Sequence, residues 1–287
     1  MQTRTIDANG FRFAVDEAGE GDHLALCLHG FPESRFSWRF QLPLLAEMGY
    51  RAWAPDLRGY GETEPKPREV SAYLIDRLME DVAALIDASG AKKVTLLGHD
   101  WGAGLAWTFA ANRVRALERL VIMNVPHPAI MTRQLRTNRS QLRKSWYMIF
   151  FQLPGAPEWM LTAQDGRAIR RAFHDMAIDK TNFTPDVLER YARDAQRPGA
   201  IRGMVNWYRA AMRLQGKLAG PWDVIETPTL IVWGEEDQAL GVELLDGTEG
   251  FVQDLTIRRL PGVSHWVQQE APQKVNPILK EWLTAPR

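Results

Sequence analysis

The chain has 287 residues, and its 35 basic and 35 acidic side chains give a formal net charge of zero at pH 7. This balance excludes a strong field that would attract nucleic acid or an anionic membrane, and the length fits one α/β domain with an insertion. The polar start at residues 1–4 and the absence of a long apolar run predict a cytoplasmic protein without a secretory signal or a membrane span.

Cysteine and histidine usage argues against disulfide and metal chemistry. The single cysteine, Cys27, lies in an apolar stretch and is interpreted as core packing in a reducing compartment. The six histidines are scattered, and the chain has neither a Walker loop nor a dinucleotide fingerprint. We therefore predict no metal and no cofactor.

Near the amino terminus, Asn9-Gly10 lies between the segments Thr3–Asp7 and Phe11–Glu17. An Asn-Gly pair in this position is typical of a tight hairpin, so we expect an antiparallel pair of strands. Further along, apolar residues recur at helical spacing between residues 71 and 89. This spacing predicts a helix that packs one face on the sheet.

The next strand, predicted at Leu24–Leu28, runs into a His-Gly-Phe-Pro loop at residues 29–32. When such a loop faces a nucleophile on an α/β sheet, one backbone N–H from the loop and one from the residue after the nucleophile form an oxyanion hole. Phe31 and Trp101 would supply these two groups, and the proline after Phe31 favours a fixed turn that aims its N–H. We interpret His29 as a structural hydrogen-bonding residue.

The most informative motif is Gly-His-Asp-Trp-Gly at residues 98–102, which lies between two apolar segments. The first, Val94–Leu97, predicts a buried strand and the second, rich in alanine, predicts a helix. Asp100 therefore lies at a sharp turn, as in a nucleophile elbow, where flanking glycines let strand and helix approach closely. The same pattern would also fit a surface turn in which Asp100 caps the helix.

Two further residues follow Asp100 in the order that such an elbow requires, which is nucleophile, acid and base. A strand predicted at Thr229–Trp233 precedes a loop with three carboxylates, of which Asp237 is the candidate acid. A strand predicted at Leu255–Leu260 precedes a loop that carries His265, the candidate base. An isolated histidine is more often an ordinary surface or core residue, but three candidates in this order favour a hydrolase.

The alternation of strands and helices stops after a strand predicted at Leu120–Asn124 and resumes at Thr229. The intervening residues carry helical patterns broken by prolines, which is typical of an inserted helical unit. We therefore predict a mostly parallel α/β core, formed by residues 1–126 and 222–287 with helices on both faces of the sheet. A helical cap at residues 127–221 would interrupt it.

Two features of the predicted cap concern aromatic residues. Tyr208 shares one helical face with apolar neighbours, so we expect it to point inward. The apolar run at residues 146–151, which contains Tyr147, is too short to span a bilayer, and we expect it to be buried between cap and core. For either tyrosine alone, core packing is the simplest interpretation.

Eight segments together resemble the epoxide hydrolase branch of the α/β-hydrolase superfamily over nearly the whole chain. They are HGFPESRFSWR, DLRGYGETEPKP, GHDWGAGLAW, NVPHP, WYMIFFQLPGAPE, NWYR, WGEEDQAL and GVSHWVQQEAP. The resemblance implies an α/β-hydrolase fold in which Asp100 attacks an epoxide to form an ester. It further implies that His265 with Asp237 activates the water that hydrolyses this ester to a vicinal diol, and that Tyr147 and Tyr208 donate to the epoxide oxygen.

The resemblance implies that the partners are an epoxide and water, and aromatic residues near the predicted site favour a small lipophilic epoxide. Besides the two predicted oxyanion donors, three tryptophans are candidates for the walls of the substrate pocket. These are Trp38, Trp146 and Trp266. Pocket size, regioselectivity and oligomeric state are not predicted by the sequence.

Two other functions remain open at this stage. A haloalkane dehalogenase resembles the same branch and also uses an Asp nucleophile followed by Trp, but its second halide donor is often an Asn where this chain has Phe31. A fluoroacetate dehalogenase would be expected to carry Arg at position 101. A non-catalytic binding module on a hydrolase fold would often lack part of the nucleophile, acid and base set, and here all three candidates are present.

Overall fold

A computed structural model describes residues 1–213 and 222–286. Within these residues the strands form a single eight-stranded sheet. The strands are β1 (Gln2–Ala8), β2 (Phe11–Ala18), β3 (His23–Leu28), β4 (Arg51–Pro55), β5 (Lys93–His99), β6 (Arg119–Met123), β7 (Thr229–Gly234) and β8 (Leu255–Leu260).

Helices lie between and after these strands. In the described part of the chain they are α1 (Gln41–Glu47), α2 (Ile75–Ser89), α3 (Trp101–Ala111), α4 (Pro128–Thr137), α5 (Arg139–Lys144), α6 (Trp146–Phe150), α7 (Ala156–Met176), α8 (Pro185–Ala195), α9 (Ala200–Arg213), α10 (Val267–Glu270) and α11 (Pro272–Thr284). The helices α4 to α9, which lie between β6 and β7, are called the inserted helices below.

The sheet begins with antiparallel strands and continues with parallel ones, in the order β1-β2-β4-β3-β5-β6-β7-β8. The β1–β2 hairpin predicted at Asn9-Gly10 is present, and both residues have the positive φ angles that its tight turn requires. From β4 to β8 all neighbouring strands are parallel. This confirms the predicted fold class and gathers the loops after β3, β5, β7 and β8 at one edge.

Helices cover both faces of the sheet because successive side chains of each central strand point in opposite directions. In β3, Leu26 packs in the core cluster that includes α2 and α3, whereas the adjacent Cys27 packs in the cluster that includes α1 and α11. Burial raises the pKa of the Cys27 thiol, so the residue stays neutral. Cys27 therefore acts as core packing, as its apolar setting predicted.

The turn between β5 and α3 is a strained elbow. Asp100 has φ 48° and ψ −125°, a conformation that L-residues rarely adopt. The flanking glycines permit it, because a Cβ on Gly98 would lie 2.6 Å from the Ala103 Cα and one on Gly102 would lie 2.2 Å from the Leu28 carbonyl oxygen. Strand and helix thus approach more closely than any side chain would allow, and Asp100 projects beyond the edge of the sheet.

The inserted helices include one departure from the sequence prediction. Residues 146–151 are not buried as a whole, because the outward side of α6 leaves Trp146 and Ile149 60% and 61% exposed. A helix of five residues presents both a covered and an open side, whatever its composition. The predicted cap boundary at residue 221 lies outside the described residues, so the division into core and cap stays a prediction.

None of the helices in the described ranges combines the length and the apolar character needed to cross a bilayer. The longest, α7, has a hydrophilic mean hydropathy and is interrupted by non-helical angles between residues 163 and 166. The apolar helix that follows Asp100 is only 11 residues long.

Replacing Gly102 with alanine should destabilise the fold, because the added Cβ would meet the Leu28 carbonyl and force the backbone to shift. We expect a loss of about 1–3 kcal/mol in the free energy of unfolding, measured by urea denaturation. Gly104→Ala is the matched control on the same helix, since its Cβ would meet nothing within 4 Å. Equal destabilisation by the two variants would contradict the close-approach explanation.

Candidate active site

Three side chains that follow separate strands meet at the carboxyl edge of the sheet. Asp100 follows β5, Asp237 follows β7 and His265 follows β8. The Nδ1 atom of His265 lies 2.6 Å from Asp237 Oδ2, and its Nε2 atom lies 3.5 Å from Asp100 Oδ2. The imidazole therefore stands between two carboxylates, one buried and one facing a cavity.

Asp237, rather than the neighbouring glutamates of its loop, contacts His265. Its Oδ1 atom accepts hydrogen bonds from the Ala239 and Leu240 amides at 2.8 and 2.9 Å. Its Oδ2 atom accepts a further hydrogen bond from Asn124 Nδ2 at 2.8 Å. With four donors, including His265, this buried carboxylate is held in one orientation.

Asn124 is a member of this site that the sequence patterns do not single out. It follows β6 with φ 47°, and its side chain bonds the Gly234 backbone on β7 as well as Asp237. An asparagine that directly ends a buried strand is the signal that could have identified it, because Asn tolerates positive φ and offers both a donor and an acceptor.

The loop after β3 brings a backbone donor to Asp100. The Phe31 N–H donates to Asp100 Oδ1 at 2.6 Å, and the Phe31–Pro32 peptide bond is cis. The described contacts include no corresponding hydrogen bond from the Trp101 amide to this carboxylate. His29 is buried and accepts from the Leu57 N–H at 3.0 Å, in keeping with a structural role.

A buried pair, Glu33 and His99, joins the loops of the site, and sequence analysis does not predict it. Glu33 Oε2 accepts from the Gly30 N–H at 2.6 Å and lies 2.8 Å from His99 Nδ1. On its other side, His99 Nε2 donates to the His265 carbonyl at 2.8 Å. The chain from Gly30 to His265 therefore connects the loop after β3, the elbow and the loop after β8.

The charges of the three side chains stabilise one another. Burial by itself would lower the pKa of His265, but the Asp237 charge and the hydrogen bonds to both carboxylates outweigh it and raise the pKa to about 10. Burial would likewise raise the pKa of Asp100, but His265, His99 and the Phe31 N–H together hold it below 3.8. At neutral pH the site therefore holds an imidazolium between two carboxylates.

A cavity of about 580 Å³ opens in front of Asp100, between the sheet edge and the inserted helices. Tyr147 of α6 and Tyr208 of α9 line it together with Asp100, and their ring centroids lie 5.9 Å apart. Burial, reinforced by the Asp100 charge, raises the pKa of both phenols above 10. Both remain protonated at neutral pH and are able to donate.

The rest of the cavity wall is mainly apolar, which favours a lipophilic ligand. Trp101 and Phe31 pack edge-to-face on Tyr208, with ring centroids 4.9 and 5.3 Å away. The apolar members of the lining include Ile75, Trp101, Val125, Met131, Leu135, Met148, Ala211, Met212, Trp222 and Leu240.

The three tryptophans predicted as pocket walls do not line this cavity. Trp38 is fully buried on the α1 and α11 face of the sheet. Trp146 lies on the outward side of α6. Trp266 is buried behind His265 and packs on Phe173, with ring centroids 4.4 Å apart. Aromatic character alone does not predict the orientation of these side chains, because a tryptophan beside a site motif can point into the core or into solvent.

The arrangement combines a carboxylate, a histidine–carboxylate pair and two phenols around an apolar space. A carboxylate is already an anion at neutral pH, so it needs no base to prepare it for attack on a saturated carbon. Phenols that remain protonated at neutral pH can donate a proton to a developing alkoxide. The His265–Asp237 pair has the geometry of a general base with its orienting carboxylate.

Comparisons with known proteins identify the family of this chain. Residues 26–272 match the family model described as alpha/beta hydrolase fold. Human epoxide hydrolase 4 is 38% identical over 286 residues, covering 97% of this chain and 77% of that protein. The AB hydrolase superfamily protein YfhM of Bacillus subtilis is 36% identical, covering 99% of this chain and 98% of that protein.

Comparison with solved structures shows the same relationship at the level of the fold. A mutant epoxide hydrolase from Bacillus megaterium, complexed with its product, a naphthyloxy-propane-1,2-diol, superposes with a TM-score of 0.90 at 32% identity. The match covers 98% of this chain and 100% of that chain. This chain therefore belongs to the epoxide hydrolases of the α/β-hydrolase superfamily.

Proposed function

We propose that this enzyme converts an epoxide to a vicinal diol through a covalent ester on Asp100. The observation that carries the proposal is the position of this carboxylate, between the Phe31 N–H and His265, facing a cavity that two phenols share. Each kind of group has a distinct use in a two-step reaction: the carboxylate attacks, a phenol protonates the leaving oxygen, and the imidazole activates water.

In the first step, Asp100 Oδ2 attacks one epoxide carbon while Oδ1 keeps its hydrogen bond to Phe31. The carbon–oxygen bond of the ring breaks, and its electron pair goes to the epoxide oxygen. Tyr147 or Tyr208 donates a proton to this oxygen, since an alkoxide is too basic to form unassisted. The product is a hydroxyalkyl ester of Asp100.

Forming the ester changes the protonation of His265. The Asp100 charge is one of the factors that raise the pKa of His265, and the ester removes it. The imidazole then gives up its proton more readily, and this proton returns through water to the phenolate that ring opening left. His265 thereby becomes a base, with Asp237 still orienting Nδ1. The same histidine therefore stabilises the nucleophile first and activates water afterwards.

In the second step, His265 takes a proton from water as the oxygen of that water bonds to the ester carbonyl carbon. The tetrahedral oxyanion is held by the Phe31 N–H, which already contacts this position, and we assign the second donor to the Trp101 N–H. The intermediate collapses, and the diol oxygen leaves with the proton from His265. The Asp100 carboxylic acid then passes the second proton of the water to His265, which restores the carboxylate and the imidazolium. No cofactor is consumed.

The apolar lining supports a small lipophilic epoxide as substrate, and the Bacillus megaterium relative binds a diol that carries an aromatic group. Incubation with styrene-type epoxides, a long-chain epoxide and 1-halohexanes, with diol and halide measured separately, tests this proposal. We expect diol from at least one epoxide and little halide. Halide release without diol would instead identify a dehalogenase.

His265→Gln should arrest the reaction after ester formation, because the first step needs Asp100 and a phenol but not the base. Mass spectrometry should detect an epoxide adduct on the peptide that contains Asp100. His174→Gln is the control, since this histidine is exposed and outside the site, and it should turn over without accumulating adduct. An unmodified Asp100 in a variant that still consumes epoxide would exclude the covalent route.

Single Tyr147→Phe or Tyr208→Phe changes should slow ring opening by about 10-fold to 1000-fold, and the double change should nearly abolish diol formation. Hydrolysis of the preformed ester should be almost unaffected, since the phenols act on the leaving alkoxide. Single-turnover kinetics separate the two steps. Tyr73→Phe, which removes a buried phenol away from the cavity, is the matched control. Near wild-type ring opening by the double variant would remove both tyrosines from the mechanism.

Asp100→Asn should lower the pKa of His265 from about 10, because it removes the charge that ester formation also removes. NMR titration of the imidazole in wild type and variant measures the change. His127, whose pKa burial lowers to about 4, serves as the internal reference and should not move. An unchanged pKa of His265 would contradict the proposed conversion of this residue into a base.

A further inference from the structure

The zero net charge of the chain conceals one strongly cationic segment. Residues 127–157 contain five basic side chains and no Asp or Glu, although acids and bases balance over the whole sequence. The five are Arg133, Arg136, Arg139, Arg143 and Lys144. Among the described residues, Arg136, Arg139 and Arg143 make no ion pair. The Glu243 carboxylate accepts a hydrogen bond from Asn138 of this segment at 3.3 Å.

The same segment exposes a row of large apolar side chains. Leu142, Trp146, Ile149 and Leu153 follow at intervals of four, three and four residues along α5, α6 and the turn after them. Their exposed fractions are 48%, 60%, 61% and 49%. We call these four residues the apolar row. Arg139 precedes the apolar row and Arg143 lies between its first two members, so cationic and apolar groups share one surface.

This surface lies next to the entrance of the cavity. The inward side of α6 contributes Tyr147 and Met148 to the cavity wall, while its outward side carries Trp146 and Ile149. The lining residues that are also exposed include Thr132, Arg136 and Met212, so solvent reaches the cavity at this place. A ligand that enters here passes the cationic, apolar surface.

We propose that the apolar row, with Arg136, Arg139 and Arg143, docks the enzyme on an anionic lipid surface. Exposed Trp, Leu and Ile beside arginines are the composition that inserts at the boundary between headgroups and acyl chains, where the arginines meet lipid phosphates. A lipophilic molecule dissolved in that layer would then lie at the entrance of the cavity. The docking itself does not depend on the proposed reaction.

The surface fits a bilayer better than an acidic protein partner. The apolar side chains project outward from α5, α6 and the turn after them, and each is 48–61% exposed rather than enclosed in a groove wall. Arginines placed along the row, rather than around a buried centre, match a plane of anionic headgroups. Tryptophan is enriched at membrane interfaces because its ring is apolar at one end and wet at the other.

Sedimentation with vesicles tests the proposal without any epoxide. The full chain is mixed with vesicles of phosphatidylcholine alone or with 30% phosphatidylglycerol, at low and at high salt. We expect binding to the anionic vesicles that weakens as salt rises, and much weaker binding to the neutral ones. Each surface cation near anionic lipid contributes about 5-fold in partitioning, so Arg139→Glu with Arg143→Glu should reduce it by about 30-fold or more.

Two further variants separate charge from apolar contact. Leu142→Ser with Ile149→Ser should also weaken binding, because it removes apolar insertion and leaves every charge. Arg258→Glu with Lys280→Glu makes the same change in net charge on exposed residues of β8 and α11, and it should bind as wild type. All three double variants should keep wild-type activity on a water-soluble epoxide, which shows that they fold.

Several results would overturn the proposal. They are equal binding to neutral and anionic vesicles, equal losses in the Arg139/Arg143 and Arg258/Lys280 variants, or no vesicle binding at any salt. Self-association that the Leu142/Ile149 variant abolishes, without vesicle binding, would assign the surface to a second copy of the chain instead. Failure of vesicle binding with intact diol formation would leave the proposed reaction standing.

Discussion

The site depends on keeping a carboxylate ionised at the edge of an apolar cavity. Removing such a charge from water costs several kcal/mol, even after the protein relaxes. Here the cost is offset by charge-assisted contacts from two directions, since His265 faces one oxygen of Asp100 and the Phe31 N–H donates to the other. The elbow keeps its strained backbone because this conformation presents the Asp100 carboxylate to His265 and to the Phe31 N–H at once.

The partners of Asp100 are themselves fixed by buried polar groups on neighbouring loops. Glu33 and His99 tie the Phe31 loop to the His265 loop, and Asn124 ties the ends of β6 and β7 to Asp237. Every link in these chains is short and buried. A buried network of this kind, with all its members satisfied, holds a single geometry and therefore needs no rearrangement when charge develops.

The sequence predicts the site residues that follow one another along the chain in the order nucleophile, acid and base. Asp100, Asp237 and His265 each follow a strand whose pattern is readable, and parallel strands bring such loops to one edge. Asn124 and the Glu33–His99 pair escape prediction because their roles arise from contacts between loops, which no periodicity encodes. No strand is predicted at Arg51–Pro55, because this Arg-Ala-Trp-Ala-Pro segment has no β-branched residue and ends in proline.

Composition alone does not predict the orientation of Trp38, Trp146 and Trp266, because only packing decides whether these side chains face the core, the solvent or the cavity.

The distribution of the remaining functional groups has a consequence for how such an enzyme could diversify. The loops at the sheet edge carry Asp100, Asp237 and His265, whereas both phenols belong to the inserted helices. In the proposed reaction, the residues that hydrolyse the ester lie on loops of the sheet, whereas the phenols that protonate the leaving oxygen lie on the inserted helices. Under that proposal, exchanging the inserted helices would change which leaving group can be protonated and would keep the residues that hydrolyse the ester.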